Sequence, residues 1–299
     1  MRNVKKLVLL LIVVPVLAFA QEESGQDTVK LWTKEGNVIL NFSQVSLTNW
    51  AAGGRSSGSG VMLVNLKANY KKEKVSWENS ADLGLGFLKE GKDDPRKTED
   101  KIDLNSKLGV AMADTNWYYT FNLNFKSQFA PGYNYPNTTD MISRFLAPGY
   151  LTAGLGVDYK REKLSVLMAP LSAKFTFVTD EELSEKGAFG VDPGQKTRSE
   201  LGATVKISYK TEVVENVTFE TKLDLFSNYL DKPQNIDVDW NVLVNMKIND
   251  YLSANLSTRL IYDDDVIIDI DNDHDGVIDE SGRRIQFMEM FGAGLSLKF

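Results

Sequence analysis

The sequence predicts an all-β protein: a single antiparallel transmembrane β-barrel of about twelve strands. From residue 37 to the last residue, apolar and polar side chains alternate with the period of two that strands have. The chain has no helical pattern long enough to cover the apolar faces of so many strands. Lipid is therefore their expected environment, and closure of the sheet is expected to satisfy its edges.

The first twenty residues have the pattern of a secretory signal peptide. Basic residues precede a short apolar segment, and 18–20 reads Ala-Phe-Ala, a small-residue cleavage site. The apolar segment is too short to span a bilayer comfortably as an anchor. The expected organisation is a signal peptide (1–20), a periplasmic N-terminal arm (21–36) and a barrel in the bacterial outer membrane (37–299).

The composition excludes several other classes of protein. There is no cysteine, so disulfides and a lipid anchor at the cleavage site are excluded. Mean hydropathy is −0.25, and beyond the signal no apolar run approaches the ~20 residues of a membrane helix. The formal charge of −7 argues against a nucleic-acid partner, which requires basic surfaces.

Two segments show the strand pattern best. In 117–125 large apolar residues alternate with polar ones, and 237–247 repeats the pattern with Trp240 among the apolar positions. Each segment is about as long as a tilted strand that crosses a bilayer. The expected strands are 37–49, 61–71, 75–88, 102–112, 117–129, 150–160, 164–178, 198–209, 217–228, 236–248, 251–261 and 285–299.

The connections between these strands alternate in length, which supports an even strand number. Short periplasmic turns and long extracellular loops are typical of bacterial barrels, and both termini would then be periplasmic. Ten or fourteen strands would follow if one hairpin were miscounted. The short turns are expected at 72–74, 113–116, 161–163, 210–216 and 249–250. The long loops are expected at 50–60, 89–101, 130–149, 179–197, 229–235 and 262–284.

Phe299 ends the last predicted strand, in which apolar residues alternate with small or polar ones. A terminal aromatic residue on such a strand resembles the signal by which the barrel-assembly machinery recognises its clients. We therefore expect that machinery and outer-membrane lipid as partners. Aromatic residues near the short turns are expected to form an interfacial girdle: Tyr70, Trp77, Trp117, Tyr159, Tyr209 and Tyr251.

Three segments of the predicted barrel have distinctive motifs: 41–54 (NFSQVSLTNWAAGG), 147–150 (APGY) and 169–174 (APLSAK). Together they resemble an uncharacterised family of outer-membrane barrels, a domain of unknown function, of Bacteroidetes-type bacteria. The resemblance implies an outer-membrane location and a barrel fold over nearly the whole mature chain, and it implies nothing about a substrate. Pro170 departs from a regular strand because it cannot donate to a ladder, so a bulge is expected there.

An acidic segment between the last two predicted strands has the spacing of a calcium loop. Oxygen-bearing residues at positions one, three and five are followed by glycine at six, as at the start of an EF-hand, but Gly282 stands where the usual glutamate would be. A structural Ca²⁺ site and a solvated acidic loop are the two interpretations, and we favour Ca²⁺. The expected ligands are Asp271, Asp273, Asp275, Val277 through its carbonyl, and Asp279.

The polar strand faces predict a lumen in which acidic and basic residues nearly balance. Such a lumen fits a weakly selective passive channel for small solutes. It fits equally a closed structural barrel, or an accessory subunit of an outer-membrane complex with envelope proteins as partners, in which the charges pair across the bore. The expected lumen-lining residues are Glu78, Asp82, Asp103, Lys107, Lys126, Glu200, Lys206, Glu220, Lys222, Asp224, Asp237, Asp239, Lys247 and Arg259.

The sequence does not favour an enzyme. His274 is the only histidine, and it lies between two of the expected calcium ligands, so a triad at the lipid-facing rim lacks its base. Asp237 and Asp239 share one strand face as a glycosidase pair would, but this spacing is also that of ordinary lumen lining.

Overall fold

The computed structural model describes residues 31–48, 54–113, 115–135, 137–270 and 279–299. Almost all regular structure in them is strand. In chain order the elements are β1 (Trp32–Val45), β2 (Ser57–Lys72), β3 (Val75–Glu90), β4 (Arg96–Ala111), β5 (Trp117–Ser127), β6 (Gly132–Tyr133), β7 (Met141–Ser143), β8 (Gly149–Arg161), β9 (Leu164–Phe177), α1 (Glu181–Glu185), β10 (Thr197–Val214), β11 (Val217–Asn228), β12 (Ile236–Lys247), β13 (Leu252–Tyr262), β14 (Ile268–Ile270), β15 (Glu280–Gly282) and β16 (Gln286–Lys298).

Twelve of these strands form one closed antiparallel barrel. Its circular order is β1-β16-β13-β12-β11-β10-β9-β8-β5-β4-β3-β2, so each strand pairs with its neighbours along the chain once two small hairpins are set aside. The ladder between β1 and β16 closes the ring, with Asn37 opposite Lys298 and Asn41 opposite Gly294. The predicted fold class and the predicted twelve strands are confirmed.

Strand β5 shows how the alternating sequence produces this barrel. Its apolar side chains point outward and stay exposed, Tyr119 by 64% and Phe121 by 43%. Its polar side chains point inward and are buried, Asn122 to 2% and Asn124 to 5%. This is the inverse of a water-soluble sheet, in which the apolar face is buried.

Of the strands that begin earlier than predicted, β1 and β4 are extended furthest. β1 begins at Trp32, so the described part of the expected arm, 31–36, is almost all strand, and Trp32 lies opposite Tyr70 of β2. β4 begins at Arg96, which shortens the predicted 89–101 loop to 91–95. Both extensions consist mainly of polar residues near the barrel ends, where neither face is apolar and the alternation gives no signal. The predicted signal peptide, 1–20, lies outside the described residues.

The expected irregularity at Pro170 is present in β9. On the β8 side the register shifts between Leu155 and Val157, and on the β10 side it shifts between Gly202 and Thr204. The first shift is opposite Ala169 and Pro170, and the second is opposite Pro170 and Leu171. A bulge at this point lets the strand accommodate a residue without an N–H, and it turns Ser172 and Lys174 inward beyond it.

One end of the barrel has short turns and the other has long loops, some of which are folded. The β9–β10 loop contains α1, which Asp180 caps by accepting from the Leu183 N–H, and a 3₁₀ turn at Ala188–Gly190. Val178, Leu183 and Val191 of this loop pack with Ala147 into a small buried cluster at the long-loop end. No helix among the described residues has the length and apolar character needed to cross a membrane.

Candidate functional site: the ion-paired lumen

Charged side chains from opposite walls meet in the middle of the barrel. Lys222 Nζ on β11 lies 2.6 Å from Asp82 Oδ2 on β3, and these strands are six positions apart in a ring of twelve. Lys101 Nζ on β4 donates to Asn241 Oδ1 on β12 at 3.3 Å, again between opposite walls. Contacts of this kind must pass through the lumen, so they cross the bore.

A second group of charges lies nearer the long-loop end. Lys126 Nζ contacts Asp224 Oδ2 at 2.7 Å and Asp239 Oδ2 at 2.9 Å. Lys206 joins the same Asp224 oxygen at 2.9 Å, and Arg259 donates through Nε and Nη2 to both oxygens of Asp239. Each carboxylate is therefore shared by two cations. The attraction of a second cation offsets part of the free-energy cost of removing each carboxylate from water.

A third group lies nearer the short turns, on the β3–β9 side of the lumen. Lys107 Nζ is 2.6 Å from Asp158 Oδ2 and 3.1 Å from Glu78 Oε2. Lys160 Nζ contacts the other oxygen of Glu78 at 2.6 Å. Ser165 donates its hydroxyl to Asp158 at 2.8 Å, and the Asp158 side chain has no exposed surface.

The long-loop mouth has an acidic group built around one cation. Lys174 Nζ lies 2.6 Å from Asp237, 3.5 Å from Asp263 and 3.8 Å from Glu200. The same ammonium lies 5.1 Å from the centre of the Phe226 ring, a distance at which ring faces attract cations. Three carboxylates surround this lysine.

Three cavities follow one another along the lumen in the part of the barrel that the structure describes. The short-turn cavity has a volume of about 380 Å³, the long-loop cavity about 260 Å³ and the middle cavity about 240 Å³. The middle cavity shares Asp82 and Lys222 with the short-turn cavity, and it shares Lys206 and Asp224 with the long-loop cavity. The ion pairs are thus the partitions between neighbouring cavities, each of which has room for several water molecules.

Every residue that the sequence predicted for the lumen takes part in an ion pair, but one of them does so elsewhere. Lys247 is the last residue of β12, and its ammonium contacts Asp250 of the short turn. Sequence reasoning missed Lys101 and Glu99 because it began their strand at 102. It also missed Lys160. Asp158 faces inward, and the residue two positions further along a strand faces the same way, so the alternation could have identified Lys160.

Four of the five expected calcium ligands, Asp271, Asp273, Asp275 and Val277, lie outside the described residues. Asp279 lies within them, next to β15. In the part of the chain that the structure describes, no group of three or more acidic, histidine or cysteine side chains could hold a metal ion. The β14–β15 ladder places Ile270 opposite Glu280, so it joins the two ends of the acidic segment.

Comparison with known proteins gives a family match over part of the chain. The model of DUF3078, a family described as a protein of unknown function, matches residues 42–133. This stretch contains nearly all of the first segment that resembles an outer-membrane barrel family, and it ends before the other two. The search of curated proteins found no match.

The fold is similar to those of solved outer-membrane barrels. The COG4313 outer membrane channel from Pseudomonas putida F1 shares 12% identity over 93% of this chain and 100% of its own, with a TM-score of 0.41. The translocator domain of autotransporter NalP from Neisseria meningitidis shares 9% identity over 95% of this chain and 91% of its own, with a TM-score of 0.34. Salmonella typhi OmpF, in complex with daunomycin, shares 8% identity over 90% of this chain and 97% of its own, with a TM-score of 0.29.

Proposed function

We propose that this protein spans the bacterial outer membrane with its short-turn end in the periplasm. The exposed apolar faces of the strands support this, because closed barrels are the sheet structures that lipid tolerates. Aromatic rings cluster on the outer surface at the short-turn end. The ring centres of Trp32 and Tyr70 are 5.3 Å apart, and those of Trp117 and Tyr159 are 5.0 Å apart. Such rings favour the lipid–water interface.

Within that membrane the barrel acts as a narrow passive channel for small solutes. One observation carries this proposal: in the described part of the barrel, the lumen is a series of polar cavities separated by ion pairs and by the Lys101–Asn241 hydrogen bond. Lys222, which crosses the bore to Asp82, keeps 32% of its side chain exposed to the cavities. The Asp82 side chain keeps 12% exposed, and water in the adjoining cavities can solvate both groups, so the pair can separate and re-form as a solute passes.

The same cross-lumen contacts favour a second candidate, a closed structural barrel or an accessory subunit of an envelope complex. If the Lys222–Asp82 and Lys101–Asn241 contacts stay intact, opposite walls are tied together at mid-lumen. Twelve strands lie between the filled eight-stranded barrels and the open sixteen-stranded porins, so the size allows both functions.

Single-channel recording in planar bilayers separates the two candidates. For the channel, we expect a small, steady conductance from the purified protein. The variant Lys222→Gln with Asp82→Asn removes the central ion pair at nearly constant volume, and it should raise the conductance by roughly twofold or more. Lys74→Gln, in an exposed short turn, is the matched control and should leave the conductance unchanged.

The opposite result would replace the channel with the second candidate. Folded protein that shows no conductance, either as wild type or as the double variant, would mean that the barrel is closed. Folding is checked by strand-dominated circular dichroism and by the mobility shift that folded barrels show on gels when they are not heated.

We further propose that the acidic segment binds Ca²⁺ outside the cell. The alternate spacing of Asp271, Asp273 and Asp275 supports this, as does the β14–β15 ladder that joins the ends of the segment. Extracellular modules bind Ca²⁺ with dissociation constants of about 10⁻⁴–10⁻³ M. Calorimetric titration should detect binding to the wild type and little or none to Asp273→Ala with Asp275→Ala. Identical titrations would mean a solvated acidic loop.

A further inference from the structure

Acidic and basic groups are nearly balanced over the whole lumen, but they are unequally distributed along its axis. Six basic side chains and four acidic ones line the short-turn cavity. The middle cavity has four of each. A small cleft at the long-loop mouth has five acidic side chains and one basic side chain. The basic side chains of the short-turn cavity are Lys67, Lys101, Lys210, Lys222, Arg259 and Lys298, and its acidic ones are Glu35, Asp82, Glu99 and Glu220. Lys101, Arg259 and Glu99 lie at the end of this cavity that faces the long loops, which leaves four basic and three acidic side chains nearer the short turns.

Phe299 also lines the short-turn cavity. Its main-chain oxygen accepts a hydrogen bond from the Gly36 N–H at 2.7 Å, so a backbone donor satisfies it. The basic side chains therefore outnumber the acidic ones at this end of the lumen. Field lines concentrate in a polar cavity with low-dielectric walls, so even a small excess of one sign attracts the opposite ion.

The excess is concentrated around one carboxylate. Three lysines surround Glu220: Lys222 at 3.4 Å, Lys210 at 3.6 Å and Lys67 at 4.0 Å. We call these four residues the Glu220 group. Its members come from three strands, and Lys67 on β2 reaches Glu220 on β11 from five positions around the ring. The cluster is therefore formed across the lumen.

Two of these lysines have ammonium N–H donors that are available to a ligand. Lys222 is held by Asp82 at 2.6 Å, but Lys67 and Lys210 approach Glu220 only at distances beyond a normal hydrogen bond. Among the described residues, neither of the two ammonium groups makes a hydrogen bond to a protein acceptor. Each ammonium has three donors, and both line the short-turn cavity.

We propose that the Glu220 group is an anion subsite, in which Lys67 and Lys210 bind the carboxylate or phosphate oxygens of a small solute passing through the barrel. This inference rests on the proposed channel and names the class of solute that its periplasmic half accepts. Lysine ammonium groups act as point charges towards such oxyanions. The acidic long-loop mouth would attract cations, so anions should bind preferentially from the short-turn side.

The test uses inorganic phosphate as the probe. In planar bilayers with KCl, phosphate added on the short-turn side should reduce the current more strongly than phosphate added on the long-loop side. The variant Lys67→Gln with Lys210→Gln should raise the half-blocking phosphate concentration about tenfold, because two neighbouring positive charges are removed. Lys74→Gln again serves as the control and should match the wild type.

Glu220→Gln provides a variant with the opposite expected effect. It removes the carboxylate that competes with phosphate for the three lysines, so the half-blocking concentration should fall. A folding defect would not produce tighter binding. Equal block of wild type and double variant, or equal block from both sides, would overturn the anion subsite while leaving the channel intact.

A readout without conduction separates this inference from the proposed channel. Phosphate binding to the purified barrel in detergent can be measured by calorimetry. If the barrel does not conduct but binds phosphate more weakly after Lys67→Gln with Lys210→Gln, the subsite stands and the channel fails. If wild type and double variant bind phosphate identically, the subsite is disproved.

Discussion

At the scale of single residues, the lumen is stabilised by charges that have lost most of their water. Asp158 is the clearest case, because its side chain has no exposed surface. It forms an ion pair with Lys107 and accepts a hydrogen bond from the Ser165 hydroxyl. A carboxylate buried without such partners would be strongly unfavourable. The pair adds little net stability over an apolar alternative, yet removing one partner leaves the other charge buried and uncompensated.

We therefore expect Asp158→Asn to lower the free energy of unfolding by about 1–3 kcal/mol. The loss should be smaller than for an isolated buried pair, since Lys107 keeps Glu78 at 3.1 Å. Asp250→Asn is the matched control, because Asp250 also pairs with a lysine at 2.6 Å but is largely exposed. Denaturant unfolding in detergent or lipid measures both. Equal effects of the two substitutions would show that burial of the Asp158 pair does not matter.

At the scale of elements, the sequence predicts a strand well where one face of that strand is apolar. It predicts a strand poorly where both faces are polar. β3 and β5 lie close to their predicted positions because lipid-facing and lumen-facing residues alternate along them. The outer part of β4, from Arg96 to Lys101, is polar on both faces, so its sequence predicts a loop. The bulge in β9 was predictable because proline has no N–H to donate to a ladder, and Pro170 can be read directly from the sequence.

The folded loop between β9 and β10 could not be predicted in the same way. Its cluster of Val178, Leu183 and Val191 packs against Ala147, which precedes β8 and is 31 or more residues away along the chain. No periodic pattern in the sequence indicates such a contact.

The pairing of charges in the lumen could not be predicted either. The alternation identifies Lys222 and Asp82 as inward-facing residues, but which charges meet depends on the stagger of all twelve strands.

At the scale of the whole molecule, the barrel depends on a single closure between its first and last strands. The ladder covers Asn37 to Asn41 of β1, and beyond it Gly36 and Phe299 exchange backbone hydrogen bonds of 2.7 and 3.0 Å. A Cβ atom at Gly36 would overlap the ring of Phe299, which covers this glycine. The alternation predicted both strands, but not that this glycine and this aromatic ring meet where the barrel closes.

Gly36→Leu should therefore weaken closure. Forcing a side chain into the space of the Phe299 ring should cost about 1–3 kcal/mol, as overpacking does elsewhere. The measurement is the temperature at which the barrel loses its unheated gel mobility. Gly58→Leu is the control, since a Cβ at Gly58 in β2 meets nothing within 4 Å. Adding Phe299→Ala to Gly36→Leu should restore part of the loss by vacating that space. If Gly58→Leu is as harmful, or if Phe299→Ala gives no recovery, the Gly36–Phe299 contact does not control closure.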